Sequence, residues 1–159
     1  MTKIEFPITL EGKKRLDEEL ENLIKIERES IKNAIAEARA QGDLRENAEY
    51  HAAKEKQSHI EGRIMELQGK LARARVVDVS KLNSEIIVFG ATVTILDPEK
   101  EIEITYQLVG DEEANIKHGK ISFTGPLGRA LIGKSEGETI IVDAPKGKIE
   151  YEIISFEFK

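Results

Sequence analysis

Asp43 and Glu46, two carboxylates three residues apart, stand in the segment Gly42-Asp43-Leu44-Arg45-Glu46-Asn47-Ala48-Glu49-Tyr50. Their type and spacing can do chemistry. Carboxylate oxygens are hard donors suited to Mg²⁺, which keeps several waters and takes only one or two acidic side chains from a protein. A pair of this kind is half of a metal site. It becomes catalytic beside a metal held by another molecule, where a second ion orients a water and stabilises a leaving oxygen. The same spacing also suits a capping box, with Asp43 as N-cap and Glu46 three residues on, and the helix dipole favours acidic groups there.

Other routes to self-sufficient catalysis are closed. There is no cysteine among the 159 residues, hence no thiolate nucleophile, zinc-thiolate site or disulfide, and a reducing compartment is allowed. His51, His59 and His118 lack metal-ligand spacing. Gly125-Pro126-Leu127-Gly128 lacks the Lys-Ser/Thr of a phosphate-binding loop. No serine has an evident His/Asp pair. With 24 basic and 30 acidic residues, net charge -6, the chain lacks the excess of positive charge that holds duplex nucleic acid by phosphate neutralisation. No apolar run approaches the ~18 residues of a membrane span, and no leader pattern opens the chain, so a cytoplasmic protein without a membrane partner is expected.

The elements that must position the acidic pair are helices. Residues 1 to 80 carry 15 basic and 16 acidic groups, and their only proline is Pro7. Helix formers without breakers mean long helices. The first starts near Thr9, a fitting N-cap, with Leu16, Leu20, Leu23, Ile24, Ile31, Ile35 and Ala38 on its apolar side. Leu16 to Leu23, and Ile24 to Ile31 to Ala38, are steps of seven. Ile60, Ile64, Leu67, Leu71 and Ala74, alternately four and three apart, form the seam of a second helix, and its register extends back through Gln57, Ala53, Tyr50 and Glu46 to Asp43. Only residues 40–43 separate the two, with Gly42 ending one helix and Asp43 capping the next. The expected result is an antiparallel coiled-coil hairpin about 45 Å long that carries the acidic pair at its tip.

Residues 81 to 159, with 9 basic and 14 acidic groups, read differently. Runs over 86–96, 102–109, 139–143 and 148–158 are β-branched and aromatic, bounded by Asp97-Pro98, Gly110-Asp111 and Pro145-Lys146-Gly147. A short helix is expected around Pro126 to Ile132, closed by Gly133. The class is therefore α+β, with a helical hairpin over 1–78 and an antiparallel-sheet domain over 79–159.

Ala36-Glu37-Ala38-Arg39 followed by GDLRENAEYHAAKE (Gly42 to Glu55) resembles the tip of the bacterial Gre transcript cleavage factors, a family of transcription elongation factors. FGATVTIL (Phe89 to Leu96), YQLVGDEEA (Tyr106 to Ala114) and GPLGRALIGK (Gly125 to Lys134) extend the likeness across essentially the whole chain. The resemblance implies an FKBP-like C-terminal domain that docks on RNA polymerase and a coiled coil that enters the polymerase secondary channel. There the tip stimulates hydrolysis of the backtracked nascent RNA 3′ end. It implies that Asp43 and Glu46 match the family's two tip acids, which share a Mg²⁺ with the polymerase. The protein is then an activator of another enzyme's nuclease, with no cofactor of its own, and a monomer. Arg39, Arg45, Asn47, Tyr50 and Lys54 match tip positions that contact RNA or shape the tip. Gly125, Pro126 and Leu127 match a polymerase-docking loop, where relatives usually carry Ser-Pro. The nearly neutral hairpin favours the GreA type over the more basic GreB type.

Three other readings compete. A relative that occupies the same channel as an inhibitor would have a changed tip, and Asp43 and Glu46 are intact. A prolyl isomerase of FKBP type needs an aromatic-lined pocket, whereas Phe89, Tyr106, Phe123, Tyr151, Phe156 and Phe158 fall mostly on strands where core packing accounts for them. A coiled-coil adaptor would use the tip acids as caps alone.

Overall fold

The computed structural model describes residues 5–42 and 47–159. Strand β1 (Phe6–Thr9) leads directly into helix α1 (Leu10–Asn22), a π-helical segment (Leu23–Glu27) and helix α2 (Arg28–Ala40). Helix α3 (Ala48–Arg73) follows, then β2 (Ala74–Val77), β3 (Thr92–Asp97), β4 (Ile102–Val109), β5 (Lys120–Ser122), helix α4 (Pro126–Leu131), β6 (Thr139–Ala144) and β7 (Gly147–Glu157). Among the described residues no helix is long and apolar enough to cross a membrane.

The chain divides into two compact units, Lys13–Ala74 on one side and residues 5–12 with Arg75–Lys159 on the other. In the first, α2 and α3 pack as the expected hairpin. Ile31, Ala53, Ile60 and Ile64 form its buried seam, flanked by Leu20, Leu23, Ile24 and Ile35. Each buried Ile contributes roughly 1.5–3 kcal/mol. The apolar steps of seven in the first helix are out of phase by one residue between Leu23 and Ile24. The backbone takes up that residue as the π turn, in which the Arg28 N–H reaches back five residues to the Leu23 carbonyl. Forked ion pairs then tie the helices. Arg28 Nε and Nη2 each lie 2.9 Å from the Glu61 carboxylate, and Arg63 Nε and Nη2 lie 2.7 and 3.0 Å from that of Glu19.

The second unit differs from the expected boundary at residue 78, because the N-terminal strand joins it. Strand β1 pairs with β2 in a two-stranded sheet, and Ile8 and Thr9 are buried. The larger sheet has the order β5-β4-β3-β7-β6. Its pairings are antiparallel except β4 with β5, which is parallel. The sheet is antiparallel as expected over its four longer strands, and the one parallel pairing comes from a three-residue strand too short to show in the sequence pattern. The run over 86–96 is also corrected, since only Thr92–Asp97 is strand. Ile87 instead exchanges backbone bonds with Gly133 and Lys134, both at 2.8 Å, and Gly90 turns the chain at φ +93°.

Val93, Ile95, Leu108, Leu131, Ile140, Val142 and Ile153 make the core with Ile87 and Ala91. Tyr106, Phe123, Tyr151, Phe156 and Phe158 pack against it, as the core reading of the aromatics expected. Helix α4 begins with Pro126 in its first turn and is closed by Gly133 at φ +85°. Gly128 within it leaves no room for a Cβ, which would overlap the Ser122 carbonyl and the Phe123 backbone.

Candidate functional site

At the end of the hairpin, α2 closes with Gln41 N–H donating to the Ala38 carbonyl at 3.2 Å, and Gly42 follows at φ +132°. Asp43, Leu44, Arg45 and Glu46 lie outside the described residues. Helix α3 then starts at Ala48, with Asn47 as its N-cap. This corrects the expectation that Asp43 caps the second helix. Asn47 Oδ1 accepts from the Tyr50 N–H at 3.0 Å, and Asn47 Nδ2 donates to the Ala38 carbonyl at 2.6 Å. An amide can accept from a free donor of α3 and donate to a carbonyl of α2 at once, which a carboxylate cannot do.

Around this closure, Arg39 is exposed in the last turn of α2, where the helix dipole favours a cation. Tyr50 is half-buried, its ring edge-on to His51 at 5.6 Å. Lys54 is exposed and donates to Gln57 Oε1 at 3.2 Å. Arg39, Asn47 and Tyr50 are thus gathered at one end of the hairpin, and Lys54 lies one turn further along α3. Among the described residues no three His, Asp or Glu side chains cluster as a metal site. In donor chemistry Asp43 and Glu46 fit Mg²⁺, as two hard oxygens that leave most of an octahedral shell to other ligands.

In the second unit, Gly125 caps α4, its carbonyl accepting from the Arg129 N–H at 2.9 Å, while Pro126 is exposed and Leu127 half-buried against the core. Beside them a shallow groove of about 250 Å³ is lined by Phe123, Thr124, Arg129 and Ile132. The Phe123 ring stands edge-on to Phe89 at 5.3 Å, and Ile132 is 37% exposed. These four groove residues were not evident in the sequence, where Phe123 reads as core. The signal was the apolar Ile132 just before the terminating Gly133. Asp111 Oδ1 accepts from the hydroxyls of Ser122 and Thr124, which hold its carboxyl below the ordinary range.

Family comparison covers both halves. Residues 6–76 match the model described as transcription elongation factor, N-terminal, and residues 82–158 match transcription elongation factor, GreA/GreB, C-term. The chain is similar to transcription elongation factor GreA of Xylella fastidiosa strain 9a5c, 58% identical over 153 residues, covering 96% of this chain and 97% of that one. It is also similar to GreA of Thermodesulfovibrio yellowstonii, 59% identical over 153 residues with the same coverage. Among solved structures, the GreA factor homolog 1 (Gfh1) of Thermus thermophilus aligns at 30% identity and TM-score 0.44, covering 96% and 99% of the two chains.

Proposed function

This chain belongs to the GreA/GreB family of transcription elongation factors, and we propose that it acts by presenting Asp43 and Glu46 to the active centre of a backtracked RNA polymerase. In this reading the hairpin enters the polymerase secondary channel while the C-terminal unit docks on the polymerase. Gly125, Pro126 and Leu127, with the groove of Phe123, Thr124, Arg129 and Ile132, dock that unit on the polymerase. Asp43 and Glu46 supply oxygen ligands toward a Mg²⁺ shared with the polymerase, and that ion supplies charge stabilisation for phosphodiester hydrolysis. Arg39, Arg45 and Lys54 neutralise phosphates of the extruded RNA 3′ segment. The protein is then an activator and not itself a nuclease, working as a monomer in the cytoplasm.

The observation that carries this reading is the Asn47 closure. It fills the capping role that the sequence offered to Asp43. The test is RNA cleavage in a stalled, backtracked elongation complex. Added protein shortens the RNA from its 3′ end, and Asp43→Asn with Glu46→Gln abolishes this while competing equally for polymerase. Undiminished cleavage by the double variant overturns the proposal, and absence of cleavage with both proteins favours the adaptor reading.

A further inference from the structure

The walls of the groove beside α4 are fixed from inside the C-terminal unit. Phe123 donates its N–H to the Val109 carbonyl at 3.0 Å, and its ring stands edge-on to Phe89. Thr124 is tied to Asp111 through its hydroxyl at 2.6 Å and to Ser122 Oγ through its N–H at 3.2 Å. Gly128 lets α4 press onto the Ser122 carbonyl and the Phe123 backbone. The groove is thus built before anything enters it, which spares an occupant the cost of ordering it. At about 250 Å³ it falls below the roughly 300–1,000 Å³ of small-molecule pockets and suits one inserted side chain.

Arg129 lines this groove and is exposed. Among the described residues its guanidinium has no hydrogen-bond or ion-pair partner. The Asp111 carboxylate, bound to the same turn, accepts from the hydroxyls of Ser122 and Thr124 instead. A planar fork of donors beside an apolar hollow matches a carboxylate bidentately, and Arg with aromatic neighbours is the composition of interface centres. Residues 81 to 159 carry 9 basic and 14 acidic groups, so the unit as a whole would draw a basic surface. At the groove the sign is reversed, because a free cation beside the contact repels a basic group there.

Resting on the docking role proposed above, we propose that the groove reads an apolar side chain with a neighbouring carboxylate on the polymerase surface. The apolar group is seated between Phe123 and Ile132, and Arg129 holds the carboxylate. Arg129 is then a specificity-determining residue of docking and takes no part in cleavage.

The test measures binding of the labelled parent protein to RNA polymerase free of nucleic acid, displaced by unlabelled full-chain variants, and pairs it with cleavage in backtracked complexes. Arg129→Gln is expected to weaken binding about tenfold and Arg129→Glu at least fiftyfold, while Arg129→Lys, a cation without the fork, weakens it about threefold. Ile132→Ala weakens it about fivefold through the apolar half of the contact. The gap between the parent and Arg129→Gln shrinks below threefold as salt rises from about 0.05 to 0.5 M. In cleavage the Arg129 variants raise the half-saturating concentration and leave the saturating rate within twofold. Equal binding by the parent and Arg129→Glu overturns the proposal, as does tighter binding by Arg129→Glu, the mark of a basic partner surface. A gap that salt does not change means a neutral acceptor, and one seen only with nucleic acid present means a phosphate; either overturns the carboxylate. Circular dichroism checks folding, and if Ile132→Ala is unfolded the Arg129 series carries the test. Parent-like cleavage by the Asp43→Asn, Glu46→Gln protein overturns the tip reading and leaves the groove result standing, whereas a parent protein that does not bind polymerase overturns both.

Discussion

Asn47 bonds across the hairpin to the carbonyl of Ala38 at 2.6 Å while capping its own helix at the Tyr50 N–H. One side chain thereby closes both helix ends. Asn47→Ala removes the cap and one of the two hydrogen bonds to the Ala38 carbonyl, and is expected to lower stability by about 1–2 kcal/mol in chemical denaturation. Asn47→Asp keeps the acceptor and loses the donor, so it falls between the two. A loss under about 0.3 kcal/mol for Asn47→Ala would contradict the cap's importance.

The tip acids, by contrast, are expected to contribute little to folding. Because Asn47 caps α3, Asp43→Asn with Glu46→Gln should change the unfolding free energy by less than about 0.5 kcal/mol, the usual range for substitutions that break no cap or core contact. The sequence alone, with Asp43 as the cap, implied a cost nearer 1 kcal/mol. Denaturation of the double variant beside the parent decides between these figures.

The π turn at Leu23–Glu27 holds one residue more than an α-turn would. Deleting Lys25 lets the helix run on as α while Ile31, Ile35 and Ala38 stay in phase with Leu16, Leu20 and Leu23. We expect the deletion variant to keep its helical circular dichroism and to lie within about 1 kcal/mol of the parent. Deleting Asn33 instead rotates Ile35 and Ala38 about 100° off the seam, at a cost of at least about 2 kcal/mol. Equal damage from both deletions would show that the π turn does not serve to re-phase the seam.

Asp111 gives a pH signature. The hydroxyl of Ser122 first, then that of Thr124, hold its folded-state pKa below the ordinary value. A group depressed on folding contributes stability that is present above its unfolded pKa, about 3.9, and lost as pH falls through the folded pKa. The stability gap between the parent and Asp111→Asn should therefore be level near neutrality and shrink below about pH 4. Its size stays under about 1 kcal/mol because solvent screens an exposed carboxylate. A gap that grows on acidification contradicts this assignment.

Long-period patterns were legible in the sequence. Apolar spacing marked both helices and the seam of α3, and the one-residue phase jump between Leu23 and Ile24 already carried the π turn, although steps of seven alone did not name it. Strands β4, β6 and β7 matched β-branched runs. Misreadings arose where a distant partner overrode local pattern. The β-branched start at Ile86 and Ile87 is drawn out of the sheet by bonds to the segment after α4. Asp43 with Glu46 matched a capping spacing, whereas the cap of α3 is Asn47, whose amide also donates to the Ala38 carbonyl of α2. Glu113 sits in the acidic run Asp111-Glu112-Glu113 and reads as a solvated residue, yet it is buried and accepts from the Thr9 N–H, 104 positions earlier, which nothing local reveals.

The order of the large sheet leaves β6 with a neighbour on one side only. Its sequence, TIIVDA, is rich in β-branched residues, and Ile141 is 65% exposed. Such a margin is a template for pairing with another chain, and charge is the usual guard. Asp143 supplies it locally, and the net charge of -6 supplies it between molecules. Near the isoelectric point of about 5.3 the second guard disappears, leaving one carboxylate to keep neighbouring β6 strands from joining into a continuous sheet.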